Sequence, residues 1–165
     1  MLKATFKKLT LDFKLPSGTS RGILTQKDSW LISIQNAQRP LTFGIGEASI
    51  IKTLSPDWSD SFEAKLNDVC ENINHFTTEK GLNELREYPS IHLAVETAIL
   101  DLENNGKGII FPSDFTTNQA PININGLIWM GDKAFMQQQI DAKIDAGFNC
   151  IKMKIGAIDF DTEIQ

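Results

Sequence analysis

The stretch Asp145-Ala146-Gly147-Phe148-Asn149-Cys150-Ile151-Lys152-Met153-Lys154-Ile155-Gly156 decides the reading of the fold. Gly147 stops the segment before it, and residues 149–155 then carry the pattern of a strand. Lys152 and Lys154 are spaced i, i+2, so both ammonium groups project to one face while Ile151, Met153 and Ile155 project to the other. Upstream, Asp132 can cap a helix that carries Phe135 or Met136, Ile140 and Ile144 on one stripe. Before that helix, residues 121–130 (Pro-Ile-Asn-Ile-Asn-Gly-Leu-Ile-Trp-Met) read as another strand. Strand, helix and strand joined by short connections make one βαβ unit, whose strands are expected to be parallel neighbours.

Parallel strands are normally covered on both faces. Two strands and one helix cannot supply that cover, so the chain is expected to stop mid-domain, as the opening of a βα barrel. In such a barrel helices cover the outside, which suits Ile151, Met153 and Ile155. The lysines then face the interior near the C-terminal end of the strand, where barrels carry their active sites. Two ammonium groups close together in a partly desolvated interior both disfavour the charged form. A lysine brought to roughly 7–8 is a usable general base. A solvated face is the plain alternative for lysines at this spacing, and the cover expected of a parallel strand weighs against it.

Residues 1–105 read as a separate α+β domain, residues 106–120 as a Gly- and Pro-containing linker, and residues 121–165 as the barrel opening. In the first domain Leu9, Leu11, Phe13 and Leu15 alternate with polar residues, giving a strand over residues 1–15. Residues 16–22 (Pro-Ser-Gly-Thr-Ser-Arg-Gly) read as a polar loop. Residues 23–35 and 41–48 continue an antiparallel meander. Ser59 can cap a helix to about Asn74 with Phe62, Leu66, Val69 and Ile73 on its stripe. Thr77 or Thr78 can cap a short helix ending before Pro89. A third helix starts near Ser90 with Ile91, Val95, Ala98 or Ile99, and Leu102 on one side, and Asn104-Asn105-Gly106 stops it.

The 165 residues are 41% hydrophobic, an ordinary globular composition. Sixteen basic residues against 21 acidic ones give a net charge of -5. That balance argues against nucleic acid, where a basic face supplies most of the affinity, and against an anionic membrane surface. No apolar run approaches a membrane span, and the alternating N-terminus is no signal core. Cys70 and Cys150 sit far apart and make no metal spacing, so a reducing, cytoplasmic setting is expected.

Four segments, in order, resemble one family. Ile151-Lys152-Met153-Lys154-Ile155-Gly156 resembles the K-x-K strand of the muconate-lactonizing branch of the enolase superfamily. Pro16 to Gly22 resembles its capping loop. Gly44-Ile45-Gly46-Glu47-Ala48 resembles the G-x-G-E-A end of its third capping strand. Ala94-Val95-Glu96-Thr97-Ala98-Ile99-Leu100-Asp101-Leu102 resembles the helix before its barrel. Within that branch, Ile124-Asn125-Gly126-Leu127-Ile128-Trp129-Met130-Gly131 is most similar to the o-succinylbenzoate synthases. The dipeptide epimerases and N-acylamino acid racemases remain an alternative, and a non-catalytic, partner-binding fragment another.

The resemblance implies an α+β capping domain followed by the first β-α-β of an incomplete (β/α) TIM-type barrel. It implies abstraction of a proton α to a carboxylate, with the enediolate stabilised by a divalent metal, usually magnesium. The reaction would be a dehydration giving o-succinylbenzoate, a menaquinone precursor. Residue matching makes Lys154 the base, while Lys152 tunes it and holds the substrate carboxylate; removing Lys152 should raise the pH at which activity appears. Ser17, Thr19 and Ser20 would contact the substrate from the capping loop, and Trp129 would line the barrel mouth or pack in the core. The family's metal carboxylates and second lysine lie on later barrel strands, so no metal ligand is expected in this chain and the chain alone should not turn over. The expected partners are a small carboxylate substrate and, as an open alternative, further copies of the chain in a homo-oligomer.

The remaining candidates have plainer readings. Asp159, Asp161 and Glu163 suit a helix start, not a metal. Glu47 suits a structural hydrogen bond. His75 and His92 have no partner at metal-ligand spacing. Glu96 and Asp101 read as inter-domain anchors, and Cys70 and Cys150 as small buried hydrophobes.

Overall fold

The computed structural model describes residues 1–19, 22–52, 54–154, 156 and 159–161. Three antiparallel strands open the chain in the order β1 (Leu2–Thr19), β2 (Gly22–Asn36) and β3 (Arg39–Ser49). Helices α1 (Phe62–Glu71), α2 (Ile73–Phe76), α3 (Glu79–Asn83) and α4 (Pro89–Glu103) follow. The chain then runs through turns to β4 (Gly126–Ile128), α5 (Lys133–Asp145) and β5 (Ile151–Met153). β4 and β5 are paired in parallel, as the βαβ pattern requires, and no closed barrel is present among the described residues.

The core lies on one face of the meander. Alternation in β2 buries Trp30, Ile32 and Ile34 beneath Phe62, Leu66 and Val69 of α1 and the apolar side of α4. Burying each such large side chain is worth about 1.5–3 kcal/mol. The Trp30 ring stands 4.9 Å from that of Phe62, and its indole N–H donates to Glu63 at 3.0 Å.

Helix α4 comes unusually close to β3, and the two glycines of Gly44-Ile45-Gly46 permit it. A Cβ on Gly44 would stand 1.9 Å from the Ala98 carbonyl oxygen, and one on Gly46 1.8 Å from that of Ala94. Only glycine lets backbone meet backbone at this distance. Asp101, one turn beyond Ala98, is buried and ties the helix to the edge of β3. Its carboxylate accepts from the Ile45 N–H at 3.0 Å and from the Gly108 N–H at 2.7 Å. Asp57 does similar work at the other end of α4, accepting from the N–H and the hydroxyl of Ser90.

Several expectations change. Residues 17–19 are paired strand, not loop: Ser17, Gly18 and Thr19 lie opposite Leu24, Ile23 and Gly22. The irregularity falls earlier, where residues 13–16 stand against Thr25 alone, between the pairs Asp12 with Gln26 and Ser17 with Leu24. Pro16 has no N–H for the ladder, and such residues sit at bulges. Ser20 and Arg21 lie outside the described residues.

The helix expected over residues 59–74 starts at Phe62 and breaks at Asn72, whose side-chain amide bonds the Asp68 carbonyl at 3.1 Å and competes with the helix. Thr78 caps α3 by accepting from the Gly81 N–H at 3.1 Å. Asp132 caps α5 by accepting from the Phe135 N–H at 2.8 Å. Ladder pairing in β4 and β5 covers three residues each, shorter than the alternation suggested, because each strand has one neighbour. Met136 is buried, whereas Ile144 at 60% and Phe135 at 39% relative exposure are not.

Asp101 anchors α4 to β3 and to the turn at Gly108, whereas Glu96 is exposed on α4. Cys150 is exposed just before β5, where none of the described elements covers it, which corrects its expected burial. Cys70 is half-buried, and burial pushes its thiol up to about 11.

Candidate active site

The βαβ unit sorts its side chains by face. Gly126 lies opposite Ile151, Leu127 opposite Lys152 and Ile128 opposite Met153. Ile128 is fully buried, and a Cβ on Gly126 would meet the side chains of Lys143 and Phe148 at 3.2 Å. Helix α5 and its C-terminal turn therefore cover that face. Alternation sends Leu127 and Trp129, and with them Lys152 and Lys154, to the other face.

The Lys154 N–H extends the ladder by donating to the Ile128 carbonyl at 3.3 Å. Its ammonium then stands 4.3 Å from the Trp129 ring centroid. A cation over an indole face is attracted by the ring quadrupole. Among the described residues neither Lys152 nor Lys154 is in an ion pair, so an anion can meet both. The desolvated interior expected around the pair is not formed by these elements. Lys152 is exposed, Lys154 half-buried, and Trp129 40% exposed, because two strands leave the inner face open.

The capping hairpin reaches this end of the unit. A Cβ on Gly18 would lie 3.9 Å from the terminal methyl of Met130, directly after Trp129. Ser17 and Thr19 flank that contact on β1, so a paired ribbon and not an open loop is brought to the strand ends. Ser20 lies outside the described residues.

Among the cavities away from the lysines are two. One, of about 560 Å³, opens among Asn123, Asn125, Phe148 and Cys150 at the N-terminal ends of β4 and β5, the opposite end from Lys154. The other, of about 200 Å³, lies between β2 and the segment after β3, against Trp30, Lys52 and Trp58.

The other candidates are structurally occupied. Glu47 accepts from the Ser29 hydroxyl at 2.6 Å and pairs with Lys27 at 3.6 Å. The Ser29 bond, followed by the Lys27 charge, holds its carboxyl below the usual range. His75 bonds Glu84 at 2.8 Å, and His92 is half-buried on α4. Asp159 and Asp161 are exposed, residues 160 and 161 are helical, and Glu163 lies outside the described residues.

Among the described residues no three His, Cys, Asp or Glu side chains cluster to hold a metal ion. The described residues do not fit a magnesium site. Among the described residues no helix is long and apolar enough to cross a membrane. Sequence reasoning missed Asp57 and Gln139. Gln139 is the last of three consecutive glutamines, and nothing in that run shows which one reaches β4.

A three-stranded meander under four helices is followed by a parallel β-α-β that presents two lysines on one face. The chain is similar to proteins of the enolase superfamily over their capping domain and the opening of their barrel. In particular it is similar to an o-succinylbenzoate synthase from Desulfotalea psychrophila, 35% identical over 98% of this chain and 51% of that protein. The crystal structure of MenC from the same organism superposes with a TM-score of 0.74 at 28% identity, over 98% of this chain and 50% of the other. An enolase family member from Agrobacterium tumefaciens with homology to dipeptide epimerases also gives 0.74, at 20% identity, over 99% of this chain and 49% of its own; it holds sodium and L-Ala-L-Glu. The chain thus spans about half the length of the curated relative it matches. No protein-family model matches the chain.

Proposed function

We propose that the chain supplies the capping elements and the base-bearing strand of an o-succinylbenzoate synthase, a carbon–oxygen lyase acting on a small carboxylate. The supporting observation is one face of β5: Lys152 and Lys154 project together, with the Lys154 ammonium 4.3 Å from the Trp129 ring. Similarity to the Desulfotalea psychrophila o-succinylbenzoate synthase favours this substrate class.

In this reading Lys154 takes the proton α to the carboxylate. The C–H electron pair moves into the carboxylate and then expels hydroxide from the neighbouring carbon, so the proton and the hydroxide together amount to one water. Lys152 meets the substrate carboxylate as a cation. Trp129 offers a flat apolar surface to the ring that becomes aromatic. Ser17, on the paired hairpin, approaches the succinyl end; Thr19 and Ser20 are assigned to the same end by the resemblance alone.

An epimerase is the second reading, favoured by the equal TM-score of the Agrobacterium tumefaciens protein. The test assays the full-length protein, with magnesium added, for elimination to the aromatic product and for deuterium uptake into dipeptides. Elimination that Lys154→Ala reduces by at least about a thousandfold supports the lyase. Deuterium uptake without elimination supports the epimerase. Neither activity, or turnover unchanged in Lys154→Ala, overturns the base assignment.

A further inference from the structure

We infer that Gln139 is a positioning residue for Lys154, acting through Trp129; this rests on the base role proposed above. Gln139 lies on α5, yet its side chain bonds both peptide groups of Trp129. Its Oε1 accepts from the Trp129 N–H at 2.9 Å, and its Nε2 donates to the Trp129 carbonyl at 3.1 Å. A second, longer bond from Nε2 to the Phe135 carbonyl at 3.3 Å holds the amide to its own helix.

This pairing does for Trp129 what a neighbouring strand would do. On β4, Gly126 donates to the Cys150 carbonyl at 2.9 Å and Ile128 accepts from Lys154 at 3.3 Å, so even-numbered residues use the edge towards β5. In a parallel ladder the intervening residues direct both peptide groups to the opposite edge. Trp129 is one of these, and the Gln139 amide occupies its edge. A strand pairing with that edge must end before Trp129, which leaves the indole at the mouth of the unit.

The backbone of Trp129 is thereby held from the helix side while its ring carries the Lys154 ammonium. The chain of contacts runs from α5 through Gln139 and Trp129 to Lys154. The requirement is specific to glutamine. Asparagine is one methylene shorter, glutamate loses the donor to the Trp129 carbonyl, and leucine loses both bonds. Of its neighbours, Gln137 bonds Asp141 on the same helix instead.

The experiment observes Lys154 directly. Lysines of the full-length protein are reductively methylated with ¹³C, which keeps their charge, and the Lys154 signal is assigned from its loss in Lys154→Arg. The indole ring current should displace that signal upfield, and Trp129→Leu should abolish the displacement. In Gln139→Leu the displacement should fall by half or more, and kcat should drop by on the order of tenfold to a hundredfold with KM nearly unchanged. Gln139→Glu, which keeps one bond, should fall between the two, and it carries the measurement if the leucine variant does not fold. An unchanged Lys154 signal in both Gln139 variants overturns the positioning role, whatever the kinetics. So does a signal that Trp129→Leu leaves in place. Turnover retained in Lys154→Ala would instead defeat the base reading, while the signal still reports the geometry.

Discussion

Gly46 meets α4 backbone to backbone: a Cβ placed on it would stand 1.8 Å from the Ala94 carbonyl oxygen. The approach is shared one turn along by Gly44 under Ala98, so two glycines set how close the helix lies to the sheet. Helix backbone cannot yield as a flexible side chain can, so Gly46→Ala must lift α4 from β3. A loss of about 3 kcal/mol or more is expected, at the upper end of overpacking effects. Urea unfolding checks it, with Leu41→Ala at an exposed position of the same strand as control. A Gly46→Ala midpoint equal to the parent's would mean that the helix is not held at this distance.

Asp101→Asn keeps the size of a buried side chain but turns one of its two acceptors into a donor. The Ile45 and Gly108 N–H groups cannot both be satisfied, so about 1–3 kcal/mol should be lost. Amide exchange at Ile45 and Gly108 should quicken together. If exchange at both stays slow, other acceptors hold these groups.

The Cys70 thiol gives a pH dependence with a defined sign. Burial raises it from an ordinary 9.0 to about 11, so between those values the folded state keeps a proton that the unfolded state has lost. Stability therefore falls as pH rises through that window and is unaffected below it. The loss should be on the order of 1–2 kcal/mol once partial exposure is allowed for. The measurement is the difference in melting between the parent and Cys70→Ala from pH 8 to 11. A difference that does not vary with pH would show the thiol to be solvated.

Lys152→Ala should act mainly on substrate binding. A charge-assisted bond to a carboxylate is worth about 1.5–3 kcal/mol, so KM should rise on the order of tenfold to a hundredfold. Steady-state kinetics of the full-length protein decide this. An unchanged KM would remove Lys152 from the carboxylate.

The local rules that operate within one element were legible. Alternation in β2 places Trp30, Ile32 and Ile34 in the core, and Asp132 and Thr78 cap the helices they precede. The same alternation sends Lys152 and Lys154 to one side of β5, because a strand repeats every two residues whatever surrounds it.

What needed the tertiary structure is what depends on two distant segments meeting. Pro16-Ser17-Gly18 has the composition of a loop, and only pairing with β2 makes residues 17–19 strand. Gly44 and Gly46 fall in a strand by pattern, and nothing in that pattern shows why both are glycine until α4 is laid on them. Asp57 and Asp101 carry no local mark of burial; their partners lie 33 and 56 residues away at Ser90 and Ile45. Gln139 is one glutamine of three until the helix turns it towards Trp129. Sequence alone determined which way side chains face along each element, since backbone geometry imposes it. Tertiary structure decided which of those faces touch, because contact depends on the close packing of segments that no local period encodes.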